Sequence, residues 1–481
     1  MLFEDLLKNT GEVGYVSQVS QSVVQIDGLP GAILGEELVF ASGQTGQVVS
    51  LGKDYLESLS LSVKPVTVGT QVARTGHRLA VAVSEQLLGK TVNSLGKTIG
   101  AMEKDKDGAE MREVDIHAPG IASRAKVSKL LETGMTLVDL MVPVGRGQRE
   151  LVMGDRKTGK SHLLLKSAVA QGKSGGVCIY AAIGKRKQEI RQVEEYLQSV
   201  GAMATTVIVS SSSHESPGEI YLNPFTAMTI AEYFRDHGRD VLLILDDLTT
   251  HAKFYREVSL LGRRFPGRDS YPGDVFYTHS RLLERAGNFL IAGQELSITC
   301  LPVVETNQGD FTGYIQTNLM SMTDGHIFFD ADLYFAGRRP AVNIFVSVTR
   351  VGHQTQSQLR REIHRTTLDL MANYARVQDF VRFGADLGDN SRQVLALGDR
   401  LLTFFDQPND ILVPLNVQTV LWALLWNGTW LGKNTTGLVK QYQNDAHFRT
   451  WVNNLVANSD SVTTLLANVG NNSELLLTML K

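Results

Sequence analysis

Apolar and polar side chains follow three successive patterns along the chain, and the first extends to about residue 76. Over residues 59–64 (LSLSVK) apolar and polar side chains alternate, which is the two-residue period of a half-buried strand. Turn signals recur at short intervals, at Asp27-Gly28, Gly31, Gly43 and Gly69. This spacing predicts a small antiparallel barrel or sandwich over residues 1–76.

From residue 77 to 356 the pattern changes to apolar runs that alternate with helical segments. The segment that contains Ile190, Val193 and Leu197 carries an apolar stripe with an i, i+3, i+7 spacing, suited to packing on a sheet. The alternation predicts a parallel sheet with right-handed crossovers. The apolar runs are residues 151–153, 177–183, 207–209, 241–245 and 298–304.

Beyond these runs the pattern is mainly helical and predicts a helical domain over residues 357–481, with a break at 384–388. Trp422, Trp426 and Trp430 recur every four residues and predict one buried helix face, with a partner contact as the alternative. The fold class is therefore multidomain α/β. The predicted domains are a β-barrel domain (residues 1–76), a nucleotide-binding-type α/β domain (77–356) and a helical domain (357–481).

Composition and charge narrow the function classes. The 481 residues include 47 Lys plus Arg and 50 Asp plus Glu, a net charge of −3, which argues against nucleic-acid binding by bulk charge. No run approaches the ~20 apolar residues of a membrane-spanning helix, and we expect no secretory leader. Two cysteines cannot form a disulfide framework, and we expect both to be buried in core strands.

The strongest chemical signal is an eight-residue phosphate loop that follows an apolar run and precedes a helical one. Its glycines let backbone N–H groups point at phosphate oxygens. Lys160 would neutralise the β- and γ-phosphates, and the Ser161 hydroxyl would ligate Mg²⁺. The loop residues are Gly154, Asp155, Arg156, Lys157, Thr158, Gly159, Lys160 and Ser161.

A second apolar run ends in Leu245-Asp246-Asp247. A carboxylate at the carboxyl end of a parallel strand beside a phosphate loop is placed to hold Mg²⁺ through water. We select Asp246 for this role, with Asp247 as the alternative.

Several segments together resemble the α subunit of the F-type rotary ATPase, the soluble head of ATP synthase. The resemblance extends over about residues 10 to 405. The segments that carry it best are GRGQRELVMGDRKTGKS (145–161), EYFRDHGRDVLLILDDL (232–248), RRFPGRDSYPGDVFYTHSRLLERAG (263–287) and PAVNIFVSVTRVG (340–352).

The resemblance implies an N-terminal β-barrel, a central RecA-like nucleotide domain and a C-terminal helical domain. It implies that the chain alternates with β subunits in a hexameric ring and binds ATP or ADP with Mg²⁺ without hydrolysing it. It places Arg339, Pro340 and Gln407 near the adenine. It also identifies Arg350 as an arginine finger that acts in a neighbouring β catalytic site, whereas the residues alone leave a surface ion pair as the alternative.

The resemblance also implies the wider setting. A central-stalk subunit would be a partner, with peripheral-stalk subunits as further candidates, although the short N-terminus leaves little of the segment that binds them. Such a complex couples ATP synthesis or hydrolysis to ion transport, with H⁺ as one candidate ion. The chain would then be cytoplasmic and held at the inner face of the cell membrane through its partners alone.

Four positions depart from the family pattern. Lys185 follows Ile183-Gly184, where catalytic β subunits carry a Glu and α subunits usually a Gln, and this supports a non-catalytic site; Glu189 is a weak substitute base. Lys157 replaces a usual Gln, and Thr349 a usual Ser. The second adenine-side Gln of the family falls near Asn409.

Two other functions stay open. A self-sufficient hexameric ATPase, such as an export motor, would need a catalytic carboxylate where the chain has Lys185. A Rho-like RNA translocase would need a basic, aromatic-bearing N-terminal barrel, whereas residues 1–76 carry few cations, namely Lys8, Lys53, Lys64 and Arg74.

Overall fold

Six antiparallel strands close into an N-terminal barrel in the computed structural model, which describes residues 3–100, 108–382, 388–408, 411–430 and 435–480. The helix α1 (Phe3–Thr10) precedes them. The strands are β1 (Gly14–Ser20), β2 (Val23–Asp27), β3 (Glu36–Phe40), β4 (Thr45–Leu51), β5 (Leu56–Ser60) and β6 (Gln71–Arg78). Their order is β1-β2-β5-β4-β3-β6, and β6 pairs with β1 to close the barrel.

The other strands and helices follow in chain order. The strands are β7 (Ala80–Val83), β8 (Thr91–Val92), β9 (Glu110–Glu113), β10 (Leu130–Leu131), β11 (Val144–Gly145), β12 (Glu150–Gly154), β13 (Val177–Lys185), β14 (Thr206–Ser212), β15 (Val241–Asp246), β16 (Gly287–Ile291), β17 (Gln294–Glu305), β18 (Gly325–Phe329) and β19 (Val348–Thr349). The helices are α2 (Thr136–Met141), α3 (Lys160–Lys173), α4 (Lys187–Ser199), α5 (Pro217–Asp236), α6 (Leu248–Leu261), α7 (Val275–Leu283), α8 (Tyr314–Met322), α9 (Ala331–Phe335), α10 (Gln358–Arg382), α11 (Asp389–Phe405), α12 (Leu415–Trp426), α13 (Thr436–Asn444), α14 (Ala446–Ala457), α15 (Val462–Asn471) and α16 (Ser473–Thr478).

The prediction of a half-buried strand over residues 59–64 is wrong in detail. Strand β5 ends at Ser60, the Ser60 side chain is buried, and Val63 is 64% exposed. Leu59 packs with Val258 of α6 on one face of the strand, and Leu56, which alternation places on the opposite face, packs in a separate apolar cluster. Both faces of this strand are therefore covered, which removes the expected alternation of burial.

Two compact units divide the chain. The first consists of Met1–Lys126, Gly172–Thr306 and Asp310–Thr323, and the second of Val127–Gln171, Asn307–Gly309 and Asp324–Lys481. The domain boundaries at residues 76 and 356 remain predictions.

In the first unit, parallel strands lie in the order β17-β15-β13-β14-β8, with β16 antiparallel to β17. Strand β15 is buried along its whole length and β13 up to Ile183. A parallel strand covered on both faces has this continuous apolar character. Cys178 and Cys300 lie fully buried in β13 and β17, as predicted.

In the second unit, β12 pairs in parallel with β18, and β19 pairs antiparallel with β18. Helices α10 to α16 follow. The Trp422 ring is buried and stacks on Trp426 at 4.8 Å. Because α12 ends at Trp426, Trp430 lies beyond the predicted stripe and packs on Phe404 instead. The predicted break at 384–388 falls mostly on residues outside the described ranges, as does Asn409.

These elements confirm the predicted fold class: an N-terminal barrel, parallel strands in the central region and a helical C-terminal region. In the described part of the chain, no helix combines the length and apolar character needed to cross a membrane.

Candidate functional site

The phosphate-loop sequence forms the turn between β12 and α3 in the second unit. Gly154 has a φ of 149°, and a Cβ at this position would collide with the Phe329 carbonyl oxygen of the paired strand β18. Gly159 has a φ of 105°. These conformations favour glycine, and they turn the chain so that α3 begins at Lys160. The N-terminus of a helix at a glycine-rich turn is suited to binding phosphate.

Lys160 is buried, and its ammonium is held inside the loop. Nζ donates to the carbonyl oxygens of Gly154 and Asp155, both at 2.6 Å. The Thr158 hydroxyl also donates to the Asp155 carbonyl, at 2.8 Å, and the Asp155 carboxylate accepts from the Gly309 N–H. These hydrogen bonds therefore stabilise the loop, and a positive charge lies at its centre.

Arg156, Lys157 and Ser161 are exposed on the same loop. Lys157 has a φ of 65°, an uncommon backbone conformation for a residue with a side chain. Two cations at the surface of a loop whose helix presents N–H groups favour an anionic ligand.

A narrow cavity of about 30 Å³ joins the loop to the predicted adenine-side residues. Its lining includes Thr158 and Gly159 together with Arg339, Pro340 and Gln407. The structure therefore brings these predicted residues together within the second unit.

The side chain of Gln407 makes hydrogen bonds to backbone groups in this arrangement. Its Oε1 accepts from the Thr136 N–H at 2.9 Å, and its Nε2 donates to the carbonyl oxygens of Gly134 and Ile411. The side-chain amide is thus committed to the backbone that surrounds the cavity.

Arg339 is exposed, and its guanidinium carbon lies 3.7 Å from the centre of the Tyr334 ring. Its Nη1 donates to the Tyr334 and Arg338 carbonyl oxygens. Tyr334 was missed from the sequence, although its position five residues before the Arg-Pro pair was a usable signal.

A larger cavity of about 640 Å³ shares Arg339 and Pro340 with the narrow one. Such a volume falls in the range of small-molecule sites. Its other lining residues are mostly apolar and include Leu137, Val342, Phe345, Met371, Tyr374 and Leu402. A mostly apolar cavity that shares two lining residues with the cavity at the phosphate loop suits the base of a nucleotide.

Two further residues on α3, His162 and Lys166, line the narrow cavity. Lys166 is buried, and its Nζ donates to the Pro408 carbonyl oxygen at 2.8 Å. Sequence reasoning missed both. Their i, i+4 spacing after the loop was the available signal, because it places them on one helix face.

In the first unit, Asp246 at the end of β15 is enclosed by polar partners. Lys185 Nζ lies 2.7 Å from Asp246 Oδ1, and the Tyr180 hydroxyl donates to Oδ2 at 2.6 Å. Tyr180 was also missed, since nothing in an apolar strand run marks one hydroxyl as a carboxylate partner.

Lys185 is held as a cation. Burial alone would lower the pKa of Lys185, but the neighbouring carboxylates of Asp246 and Asp247 raise it above its ordinary value. An ammonium at neutral pH cannot accept a proton. Glu189, the alternative base, is exposed, and its carboxylate accepts from the Arg186 N–H at the start of its own helix.

The donor set fits a divalent metal only in part. An exposed serine hydroxyl such as that of Ser161 is an acceptable Mg²⁺ ligand. Both carboxylate oxygens of Asp246 already have one close partner each, so this side chain offers a water-bridged Mg²⁺ fewer acceptor sites than a free carboxylate would. Within the described ranges, no group of three or more His, Cys, Asp or Glu side chains is arranged to hold a metal ion.

Arg350 is exposed in the second unit, directly after β19. Its N–H donates to the Asp324 carbonyl oxygen at 2.9 Å. The Asp324 carboxylate forms a two-point pair with Arg149, in which Nε lies 3.1 Å from Oδ2 and Nη2 2.8 Å from Oδ1. The backbone at Arg350 is thereby fixed while its side chain faces solvent.

A buried polar network lies beside this backbone. Gln148 Nε2 donates to Glu150 Oε2 at 2.6 Å and to the Thr349 hydroxyl at 3.1 Å. The Thr349 hydroxyl donates to the Pro143 carbonyl and accepts from the Gly352 N–H. Burial raises the pKa of Glu150 well above its ordinary value. Sequence analysis did not identify Gln148 or Glu150.

The central part of the chain, residues 134–349, matches the family model described as "ATP synthase alpha/beta family, nucleotide-binding domain". The matched region contains the phosphate loop, Asp246, Arg339 and Pro340. It ends one residue before Arg350, and Gln407 lies outside it. The match supports assignment of this region to the α/β family, and it specifies neither a subunit type nor a class of rotary ATPase.

Proposed function

We propose, from the ATP synthase alpha/beta family assignment of residues 134–349, that the chain is an α-type subunit of an F-type or F-type-like rotary ATPase head. In this proposal it binds ATP or ADP at the phosphate loop without hydrolysing it. It alternates with β subunits in a ring, and Arg350 acts as an arginine finger in a neighbouring β catalytic site.

The observation that carries nucleotide binding is the loop between β12 and α3. The loop supplies hydrogen-bond donors and a positive charge for phosphate, through its glycine conformations and its buried Lys160. The adjoining cavities supply an apolar space for a base. These are the two kinds of contact that a nucleoside triphosphate needs.

The non-catalytic role is supported by Lys185. Hydrolysis needs a group that orients and polarises the attacking water, and the family's catalytic carboxylate position holds an ammonium here. Glu189 caps its own helix and offers no replacement. The proposed catalysis therefore belongs to the neighbouring subunit, to which this chain contributes a positive charge.

The proposed complex includes a central stalk and couples ATP turnover to ion movement across a membrane that this chain reaches only through its partners. Peripheral-stalk subunits are further candidate partners. These elements extend the family assignment, and identification of the subunits that copurify with the chain tests them.

Nucleotide binding is tested on the purified chain by titration with a fluorescent ATP analogue. We expect Lys160→Ala to weaken binding at least about tenfold, because the loop loses its central positive charge. Lys173→Ala, at the exposed far end of α3, is the matched control and should bind as the wild type does. Equal affinity in all three proteins would refute a nucleotide site at this loop.

ATP hydrolysis by the same purified chain tests the non-catalytic role. We expect no phosphate release above the level of the Lys160→Ala variant. Sustained turnover by the wild-type chain alone, abolished by that substitution, would identify a self-sufficient ATPase instead.

A further inference from the structure

We propose that the large cavity of the second unit, about 640 Å³ in volume, binds guanine as well as adenine, so that the chain binds GTP at least as tightly as ATP. Arg338 and Asp406, which both line this cavity, contact the base in this proposal. The inference rests on the proposed nucleotide binding at the phosphate loop, and it concerns the base that the adjoining cavity holds.

One backbone hydrogen bond joins the two segments that carry these side chains. The Gln407 N–H donates to the Arg339 carbonyl oxygen at 3.2 Å. Arg338 directly precedes one of the bonded residues, and Asp406 directly precedes the other. The bond therefore holds together the two parts of the wall that bring a guanidinium and a carboxylate to the cavity.

Both charged groups are available to a ligand. Arg338 is half-buried and Asp406 is exposed, and neither side chain makes a hydrogen bond or an ion pair with the residues that the structure describes. Arg339 differs, because its guanidinium lies over the Tyr334 ring and donates to two carbonyl oxygens. A half-buried guanidinium without a partner has lost part of its hydration, so a ligand that supplies acceptors gains from contact with it.

The chemistry of this pair of residues matches guanine. Guanine presents O6 and N7 as acceptors, whereas adenine presents an amino group in place of O6. Arginine bound to both O6 and N7 is the commonest specific contact to guanine. An ionised carboxylate only accepts hydrogen bonds, and guanine offers it both N1–H and the 2-amino group. Adenine lacks O6, N1–H and the 2-amino group, so it gains less from the same two residues.

The other polar groups of the lining do not reject guanine. The Tyr374 hydroxyl donates to Asp399 and accepts from Gln378 Nε2. The Asn343 amide donates to Asp330, and its oxygen accepts from backbone N–H groups. Rejection of one base requires a clash or an unpaired group placed against it. The volume of the cavity and these existing hydrogen bonds provide neither.

The experiment measures the affinity of the full-length chain for GTP, ITP and ATP in excess Mg²⁺ by isothermal titration calorimetry. For the wild type we expect GTP to bind at least as tightly as ATP. ITP has O6 but no 2-amino group, and it should bind more weakly than GTP. These three measurements need no substitution, so they test the proposal even if a variant does not fold.

Substitution of Asp406 tests the contact to the 2-amino group. We expect Asp406→Asn to lower the affinity for GTP at least about tenfold and to change the affinity for ATP by less than about threefold. Asp332→Asn makes the same change at an exposed position outside the cavity lining and should behave like the wild type.

Xanthosine triphosphate provides a gain of binding, which misfolding cannot produce. Xanthine carries a carbonyl oxygen in place of the 2-amino group. This oxygen is repelled by a carboxylate and can accept from an amide. Asp406→Asn should therefore bind xanthosine triphosphate more tightly than the wild type does.

Substitution of Arg338 tests the contact to O6. Arg338→Ala should weaken GTP and ITP binding alike, at least about tenfold, because both bases carry O6, and should leave ATP within about threefold.

Three results would overturn the inference: a wild-type chain that binds ATP more tightly than GTP, an Asp406→Asn chain that loses affinity for GTP and ATP equally, or an Asp406→Asn chain that gains no affinity for xanthosine triphosphate. A wild-type chain that binds neither GTP nor ATP would instead refute the proposed nucleotide site.

Discussion

Arg350 combines a fixed backbone with an exposed guanidinium. Asp324 accepts its N–H, and Arg149 holds Asp324 through two contacts. A surface arginine of this kind, when it only forms ion pairs, contributes at most about 1 kcal/mol. A guanidinium that stabilises a transferring phosphoryl group is worth far more, so substitution separates the two roles.

We therefore predict that Arg350→Ala lowers ATP turnover of a reconstituted ring by about 10³–10⁵-fold, or roughly 4–7 kcal/mol of barrier. Nucleotide binding to the isolated chain should be retained, because Arg350 lies outside the phosphate loop. Arg361→Ala, at an exposed position of α10, is the control. Near-normal turnover in the Arg350→Ala ring would remove the finger assignment.

Thr349 holds the backbone beside Arg350. Its hydroxyl donates to the Pro143 carbonyl oxygen and accepts from the Gly352 N–H, and Val in its place would leave those groups unpaired. We expect Thr349→Val to destabilise the chain by about 1–3 kcal/mol and to lower the turnover rate with little change in KM.

Thr349→Ser keeps the hydroxyl and should restore turnover and stability, both measured on the same reconstituted ring and by urea unfolding. If Thr349→Val and Thr349→Ser have the same turnover and stability, the hydroxyl does not position Arg350.

At the scale of elements, a buried ion pair joins α5 to the segment after α7. Arg285 is fully buried, and its Nε and Nη2 lie 2.9 and 2.7 Å from the two carboxylate oxygens of Glu232. Arg285 also donates to the Val114 carbonyl and the Thr229 hydroxyl. This pair explains the Arg within the LLERAG segment as a structural residue.

Arg285→Met should cost about 3–5 kcal/mol of unfolding free energy, because it leaves the Glu232 carboxylate buried without its counter-charge. Adding Glu232→Leu removes that charge and should recover part of the loss. Denaturant unfolding of the single and double variants measures the difference. A double variant less stable than Arg285→Met would show that the charge on Glu232 is not the cause.

At the scale of the whole molecule, a buried histidine pair makes stability depend on pH. His251 Nδ1 lies 3.0 Å from His279 Nε2, and His251 Nε2 lies 3.0 Å from the Tyr221 carbonyl oxygen. Burial lowers the pKa of His251 to about 4, and burial together with His251 lowers the pKa of His279 well below 6.5. The folded chain therefore holds both rings neutral under conditions in which the unfolded chain protonates them.

The pKa of histidine in the unfolded chain is about 6.5, so the free energy of unfolding should fall as the pH drops below that value. Below about pH 4 the folded chain also protonates His251, and this residue should cause no further loss. For His251 the full loss is on the order of 3 kcal/mol. His251→Gln should reduce the pH dependence of the urea midpoint between pH 6.5 and 5. His214→Gln, at an exposed site, is the control, and an unchanged dependence in His251→Gln would contradict the prediction.

The sequence by itself determined the periodic features of this protein. The two-residue and helical periods, the runs of apolar strand residues and the turn glycines predicted the barrel, the parallel strands and the C-terminal helices, because those patterns follow from local backbone geometry. The phosphate loop was equally readable, since its glycines and Lys160 lie within seven consecutive residues, 154–160.

The tertiary structure decided which distant residues meet. Lys185 and Asp246 are 61 positions apart in sequence, yet adjacent parallel strands bring their charges to 2.7 Å. Gln407 likewise meets residues distant in sequence, because its amide makes hydrogen bonds to residues 134 and 136. Strand β5 is another example, because other parts of the chain cover both of its faces. No local pattern encodes such contacts, because strand order and packing set them after the elements have formed.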